Sequence, residues 1–321
     1  MIEVLACGPL VTVQDGGRPG HLASGLARGG AADRRALDEA AALLGVPGAA
    51  LETPGAPLEL RFEADTLVAL TGAPMRAEAG GRTLAWHAAQ VVPAGATLTL
   101  RPTGRGVYSY VAPLGGIGGP AVLGSRAAHA IAGIGAPLAP GDRLDAGGRT
   151  GSERRLAAPE DRFAGGALRC VETPQTALFG PDARARFEAT AFARGPRGNR
   201  QGVRLEADDA RFATEGQLAL LSDFVLPGDV QATGDGVPYV LGPECQTTGG
   251  YPRIAHVIAA DLPRALQAPP GAPLRFRFVS LAEARAARPG APAVEPLVRD
   301  PRDIPDLGRY QLIDGVTDGR G

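Results

Sequence analysis

The stretch Gln246-Thr247-Thr248-Gly249-Gly250-Tyr251-Pro252 sets an amide, two aliphatic hydroxyls and a phenol beside two glycines. Amide and hydroxyl groups both donate and accept hydrogen bonds. Glycine permits positive φ and lets a ligand approach the backbone. Successive N–H groups in such a turn form a concave site for an anion or a carbonyl oxygen. The chemistry within reach is the gripping of a planar C=O/N–H group. A polar turn that binds nothing has the same composition, and both readings stand at this point.

Other chemistry-bearing residues lie far away in sequence. Gln14-Asp15-Gly16-Gly17-Arg18-Pro19-Gly20 is a polar loop in which Asp15 and Arg18 either pair with each other or face a ligand. Asp33 precedes an Ala/Leu-rich run. There a carboxylate caps a helix or meets a substrate. Ser125 has no GxSxG context, which argues against a hydrolase nucleophile elbow. Arg126 suits a carboxylate or phosphate, or a surface ion pair.

The elements that must position these groups are mostly short strands. Ile2–Leu5, Leu10–Val13, Leu58–Phe62, Thr66–Leu70, 89–92, Thr97–Leu100 and Val107–Val111 are apolar or alternating runs between Gly/Pro turns. Ala31–Leu44 reads as a helix closed by Gly45. Gly141–Gly166 is poor in large apolar residues and reads as a linker. Beyond it, Leu168–Val171, Leu218–Leu221, Val225-Leu226, Tyr239–Leu241 and Leu274–Val279 read as strands. Asp182–Phe192, Asp261–Leu266 and Leu281–Ala287 read as helices, the last capped by Ser280. The organisation expected is 1–160, 165–287 and an extended tail over 288–321.

Composition narrows the function classes. The chain has 321 residues, a formal net charge of −1, 44% hydrophobic and 21% charged residues. No clustered excess of positive charge suggests a nucleic-acid surface. No apolar run approaches the roughly 20 residues of a membrane span, and the N-terminus lacks signal-peptide character. A cytoplasmic location is expected. Cys7, Cys170 and Cys245 are widely spaced, so neither a disulfide framework nor a cysteine metal site is expected. All 33 basic residues are arginine. A lysine-free chain cannot carry biotinyl-lysine, a Schiff base or a P-loop lysine.

Segments GPLVTVQDGGRPG, GGAADRRALDEAAALLG, VLGSR and ECQTTGGYPRIAHVIAADLPR together resemble one family. It is the biotin-dependent carboxyltransferase-like family, which includes the second subunit of allophanate hydrolase, the C subunit of 5-oxoprolinase, the Kip-type antagonist and part of urea carboxylase. The resemblance runs from about Glu3 to about Val279. It implies a mainly β fold with two cyclophilin-like β-barrel domains and a few short helices.

The resemblance also implies two partner proteins, one like the B subunit of 5-oxoprolinase (Kip-inhibitor-like) and one like its A subunit. The first functional expectation is a component of an ATP-dependent 5-oxoprolinase, opening the lactam of 5-oxoproline to glutamate. ATP, with magnesium, would be handled together with partner subunits, and the isolated chain would be inactive. A carboxyltransferase acting on urea or a related amide is the second, its biotin carried elsewhere. A non-catalytic antagonist of a kinase inhibitor is the third.

Carried over residue by residue, the resemblance covers Asp15, Gly17, Arg18, Asp33, Ser125, Arg126, Asn199, Arg200, Arg204 and Gln246 to Pro252. Asn199 and Gln201 depart from the Asp and Met of the family, Ala32 from its Met, and Glu244 from its Asp. Cys245 falls at a variable position and is discounted as a nucleophile. In the mechanism expected, Thr247 and Thr248 with nearby N–H groups hold the substrate carbonyl. Arg18 or Arg204 holds a carboxylate or phosphate. Asp15 or Asp33 orients water or takes a proton. Ser125, Arg126, Asn199, Gln246, Gly249, Gly250 and Tyr251 complete the substrate contacts, with no metal ligand among them.

Overall fold

The computed structural model describes residues 1–207, 211–212, 214, 220–298 and 302. It is mostly β with few helices. Two sheets build the N-terminal unit. The first runs Arg143–Leu144, Ile2–Cys7, Leu58–Phe62, Thr97–Pro102, Met75–Ala79, Arg82–Leu84 in spatial order. The second runs Thr12–Gln14, Ala50–Pro54, Tyr108–Pro113, Thr66–Gly72, Ala88–Val92, Arg154–Leu156, Val294–Pro296.

Alternation explains the stacking. Ile2, Val4, Leu58, Leu60, Phe62 and Leu98 of the first sheet meet Leu51, Val68, Leu70 and Val111 of the second in one core. The intervening residues Leu67, Ala69, Tyr110 and Ala112 face the other way, with Ala36, Ala40 and Leu43 of α1 (Arg34–Leu44). Thr66–Gly72 is therefore covered on both faces, and its sequence is a nearly unbroken apolar run. Helix α1 starts at Asp33, whose side chain accepts the Ala36 N–H, and stops at Gly45 in the left-handed region.

The second unit is a closed seven-stranded barrel. Its order is Gly166–Val171, Arg253–Val257, Asp229–Ala232, Pro238–Leu241, Gly202–Glu206, Phe192–Asn199, Pro273–Phe278. Closure is parallel, Gly166 against Leu274. Leu168, Val203, Leu205, Val230, Val240 and Ile254 fill it, together with Phe187 of α2 (Gly180–Ala189), Phe192 and Phe276. Phe187 lies 4.7 Å from Phe276 and 5.4 Å from Phe192, centroid to centroid. Helix α3 (Leu262–Gln267) lies against the first barrel strand, as does α4 (Leu281–Ala286), which carries a Ser280/Glu283 capping box.

Several expectations shift. The stretch expected as a linker over Gly141–Gly166 contributes Arg143–Leu144 and Arg154–Leu156, because each finds an open sheet edge. Val294–Pro296, within the stretch expected as an extended tail, pairs with Arg154–Leu156. Residues 299–301 and 303–321 lie outside the described residues. So do residues 218 and 219 of the strand expected at Leu218–Leu221, and its neighbour forms at Asp223–Phe224 rather than Val225-Leu226. Among the described residues no helix is long and apolar enough to cross a membrane.

Two buried clasps join the units. Arg162 donates Nη1 and Nη2 to Glu39 at 2.8 and 2.9 Å and Nε to Asp33 at 2.7 Å. Gln267 of α3 donates to Asp33 at 2.8 Å. In the other clasp, Arg200 at the tip of the Phe192–Asn199/Gly202–Glu206 hairpin binds Glu52 and Glu244, the Gln14 amide and the Gly30 carbonyl. Burial opposes the Arg200 charge, but the two carboxylates outweigh it and raise its pKa.

Candidate functional site

Glu244, Cys245 and Gln246 face three different cavities. Glu244 lines a space of about 350 Å³ between the units, beside Arg200 and the apolar Leu10, Val107, Ile131 and Ile134. Cys245 lines one of about 80 Å³ near Arg18 and Arg28. Gln246 lines one of about 280 Å³ on the barrel wall, with Arg197, Asn199, Gln201, Gln231, Tyr239 and Tyr251.

Strand alternation builds the third cavity. Val230 and Ala232 point into the barrel core, so Gln231 between them points out. Val240 points in, and its neighbours Tyr239 and Leu241 line the cavity outside. The segment after Leu241 folds back over this wall, and the 197–202 hairpin tip closes one side.

Hydrogen bonds orient the amides. Gln231 donates Nε2 to the Tyr251 carbonyl at 3.1 Å, so its oxygen faces Gln246 and accepts that residue's Nε2 at 3.0 Å. Gln246 Oε1 is left as an acceptor. Asn199 Oδ1 accepts the Gln201 N–H at 2.8 Å, leaving Nδ2 as a donor. One acceptor and one donor on the same wall match the N–H and C=O of an amide. Arg197 is the one charged residue among the described lining and has no ion pair among the described residues.

The glycines serve this network in an unexpected way. Neither Gly249 nor Gly250 has positive φ. A Cβ on Gly249 would stand 2.8 Å from Gln231 Nε2, so this glycine admits the glutamine amides rather than a left-handed turn.

Thr247 and Thr248 line none of these cavities. Thr248 is exposed and pairs with Phe224 in a two-stranded ribbon, and the Thr247 carbonyl takes the Val225 N–H. Neither threonine therefore lies on the amide wall, where the role expected for them would have placed a substrate carbonyl. Arg204 is also off the cavity, with Nε 3.7 Å from Glu206.

The N-terminal candidates form a clamp instead. Asp15 Oδ1 accepts from Gly17 N–H at 2.8 Å and Ser125 Oγ–H at 2.6 Å, and Oδ2 accepts the Arg126 N–H at 2.7 Å. Arg126 Nε donates to the Gly119 carbonyl at 2.9 Å. Asp15 thus ties two loops together and does not pair with Arg18. Asp33 is fully buried and accepts from Ala36, Arg162 and Gln267. That environment suits a helix cap and an interdomain joint, not a water-activating base. Burial pushes the Cys245 thiol up to about 12, against a nucleophilic role. Sequence reasoning missed Arg197 and Gln231; the signal for Gln231 was a lone amide between two inward apolar residues.

Residues 24–278 match the family model described as carboxyltransferase domain, subdomain A and B. The chain belongs to this family. It is similar to the C subunit of 5-oxoprolinase from Escherichia coli, 36% identical over 295 residues, covering 90% of this chain and 94% of that protein. The protein of the same name from Haemophilus influenzae is 30% identical, again over 90% of this chain and 94% of the other. The crystal structure of TTHA0988 superposes with a TM-score of 0.77 at 30% identity, covering 86% of this chain. Kluyveromyces lactis urea carboxylase superposes with a TM-score of 0.78 at 25% identity over 88% of this chain. This carboxyltransferase-family chain spans 55% of TTHA0988 and 28% of urea carboxylase, so the unit also occurs inside longer proteins.

Proposed function

We propose that the chain is the C subunit of an ATP-dependent 5-oxoprolinase and that its amide-lined cavity holds the lactam. The observation that carries the reading is the presence in one cavity lining of an acceptor, Gln246 Oε1, and a donor, Asn199 Nδ2, each without a partner among the described residues. It is supported by the 36% identity over 90% of the chain to a protein of that name. Gln246 accepts the lactam N–H, Asn199 donates to the carbonyl, and Arg197 meets the carboxylate of 5-oxoproline.

The described lining of this cavity contains no carboxylate, imidazole or thiol to act as a base. Among the described residues no group of three His, Cys, Asp or Glu side chains is placed to hold a metal ion. The donor set therefore does not fit magnesium-ATP, and the proposal assigns nucleotide, metal and the activating base to the A and B subunits of the complex in the cytoplasm. A unit that elsewhere occurs within longer chains is consistent with such sharing.

The test is 5-oxoproline-dependent ATP hydrolysis after mixing the chain with those partner subunits. Coupled turnover in the mixture, absent without this chain, is the expected result. ATP hydrolysis indifferent to 5-oxoproline counts against the reading.

A further inference from the structure

The cavity of about 350 Å³ between the units is lined by two buried hydroxyl residues, Thr12 and Tyr108. Thr12 lies opposite Glu52, and Tyr108 opposite Pro54, in neighbouring strands of the second sheet, so all four side chains leave one face. Tyr108 is 4% exposed. Its backbone N–H and C=O both meet the Gln267 amide, but its hydroxyl has no partner among the described residues. Nor is that hydroxyl sealed within protein, so it opens on the cavity that Tyr108 lines. Thr12 is 7% exposed; its Oγ1 accepts from Gln14 Nε2 at 3.0 Å, and its own proton finds no acceptor among the described residues.

The charged groups lining the same cavity are spent on one another and on the backbone. Arg200 is engaged by Glu52, Glu244, the Gln14 amide and the Gly30 carbonyl. Glu52 Oε2 also accepts the Ala32 N–H at 2.8 Å and the Tyr110 O–H at 2.6 Å, and Glu244 Oε2 accepts the Ala130 N–H at 3.1 Å. Burial, and then the Glu52 charge, raise the Tyr108 pKa against Arg200 and Arg194, so the phenol stays protonated. The donors left over are therefore neutral hydroxyls. The remaining wall is mostly apolar, with Leu10, Pro54, Val107, Ile131, Ile134 and Pro137. Leu10 and Ile131 are 58% and 62% exposed, and Leu10 has a φ of 62°, an unfavourable backbone for leucine.

We infer that this interdomain cavity binds a small neutral molecule with an apolar body and an oxygen acceptor, the acceptor taking the Tyr108 hydroxyl. A buried donor with no acceptor is costly, and an occupant's oxygen supplies what is missing. Neither an anion nor a cation finds a free counter-charge here, because Arg200, Glu52 and Glu244 already satisfy one another. The apolar body covers Leu10 and Ile131, and the volume lies in the range of small-molecule sites. Gly198, Asn199 and Gln201 line both this cavity and the amide cavity, so the hairpin tip is the partition between two separate sites. The readout below is binding and not turnover, and so stands apart from the role proposed for the amide cavity.

The test is thermal unfolding of the intact chain at pH 7 with three probes of one size: acetophenone, benzoate and benzylammonium. A saturable rise in Tm is expected with acetophenone, at a half-saturation about tenfold or more below those of the two ions. Tyr108→Phe loses the donor and should weaken the acetophenone half-saturation about tenfold. Ala136→Trp, at an exposed position on the cavity wall, should fill the space and abolish the rise. If Tyr108→Phe does not fold, Ala136→Trp decides. No response to acetophenone, an ion that binds as tightly, or an unchanged half-saturation in Tyr108→Phe overturns the inference. So does a rise that survives Ala136→Trp. A dimer of the unliganded chain that Ala136→Trp dissociates, seen by sedimentation, would give the cavity to a second copy and overturn it as well.

Discussion

Gln246 and Thr248 are two residues apart, yet one lines a cavity and the other lies in an exposed ribbon. Replacing Gln246 by Ala removes the acceptor for a substrate N–H and frees Gln231 to rotate. Turnover of the assembled enzyme should fall about 10- to 100-fold, the cost of one or two hydrogen bonds to the substrate. Arg197→Gln should act differently, raising KM for 5-oxoproline by about tenfold or more while kcat changes little, because a carboxylate contact is made in ground and transition state alike. Steady-state kinetics of the two variants separate these patterns.

At the residue scale, the importance of the Gln246–Pro252 loop was legible in its composition, but the reason was not. Hydroxyls beside glycines suggested an oxyanion hole. The working partner, Gln231, lies on a different strand, and its contact with Gln246 exists only once the barrel brings those strands side by side.

At the scale of elements, one hairpin tip serves two purposes. Arg200 is locked into Glu52 and Glu244, and this holds Asn199 and Gln201 against the amide cavity. Gly249 is the matching constraint on the opposite loop. Gly249→Ala would drive a methyl to within 2.8 Å of Gln231 Nε2. The variant should lose about 1–3 kcal/mol of stability, measured by urea unfolding, and lose substrate-dependent turnover with it. Helices and strands with clear periodicity, such as α1 and Thr66–Gly72, were readable because local pattern and burial agree. Short strands such as Arg143–Leu144 and Val294–Pro296 were not. They exist because an edge elsewhere in the chain accepts them.

For the whole molecule, the relation between the two units is the decisive property, and buried ions set it. Arg162 is 2% exposed in its side chain, and its partners Asp33 and Glu39 are 0% and 1%. Removing the cation by Arg162→Met strands two carboxylates and should cost about 3–5 kcal/mol in equilibrium unfolding.

Nearby, His87 stacks on Phe163 at 5.9 Å. Burial, and then the Arg162 charge, lower its pKa from 6.5 to about 4. The unfolded chain therefore binds a proton that the folded one refuses between those values. Stability contributed by neutral His87 is complete above pH 6.5 and is lost as pH falls toward about 4, amounting to about 3 kcal/mol in all. His87→Asn, tolerated at a backbone φ of 56°, should flatten that part of the stability profile. The mostly β class and the resemblance were legible from the sequence. The clasps were not, because Arg162 reaches back 129 residues to Asp33 and Arg200 reaches 148 to Glu52.

The central claim is that the amide wall, not the threonine pair, receives the lactam. Its most direct test is the rate of 5-oxoproline-dependent ATP hydrolysis by the chain assembled with its partner subunits, compared for Gln246→Ala and Thr248→Ala. The account predicts a large loss in the first and near-normal turnover in the second. Full activity in Gln246→Ala together with a collapse in Thr248→Ala would contradict it.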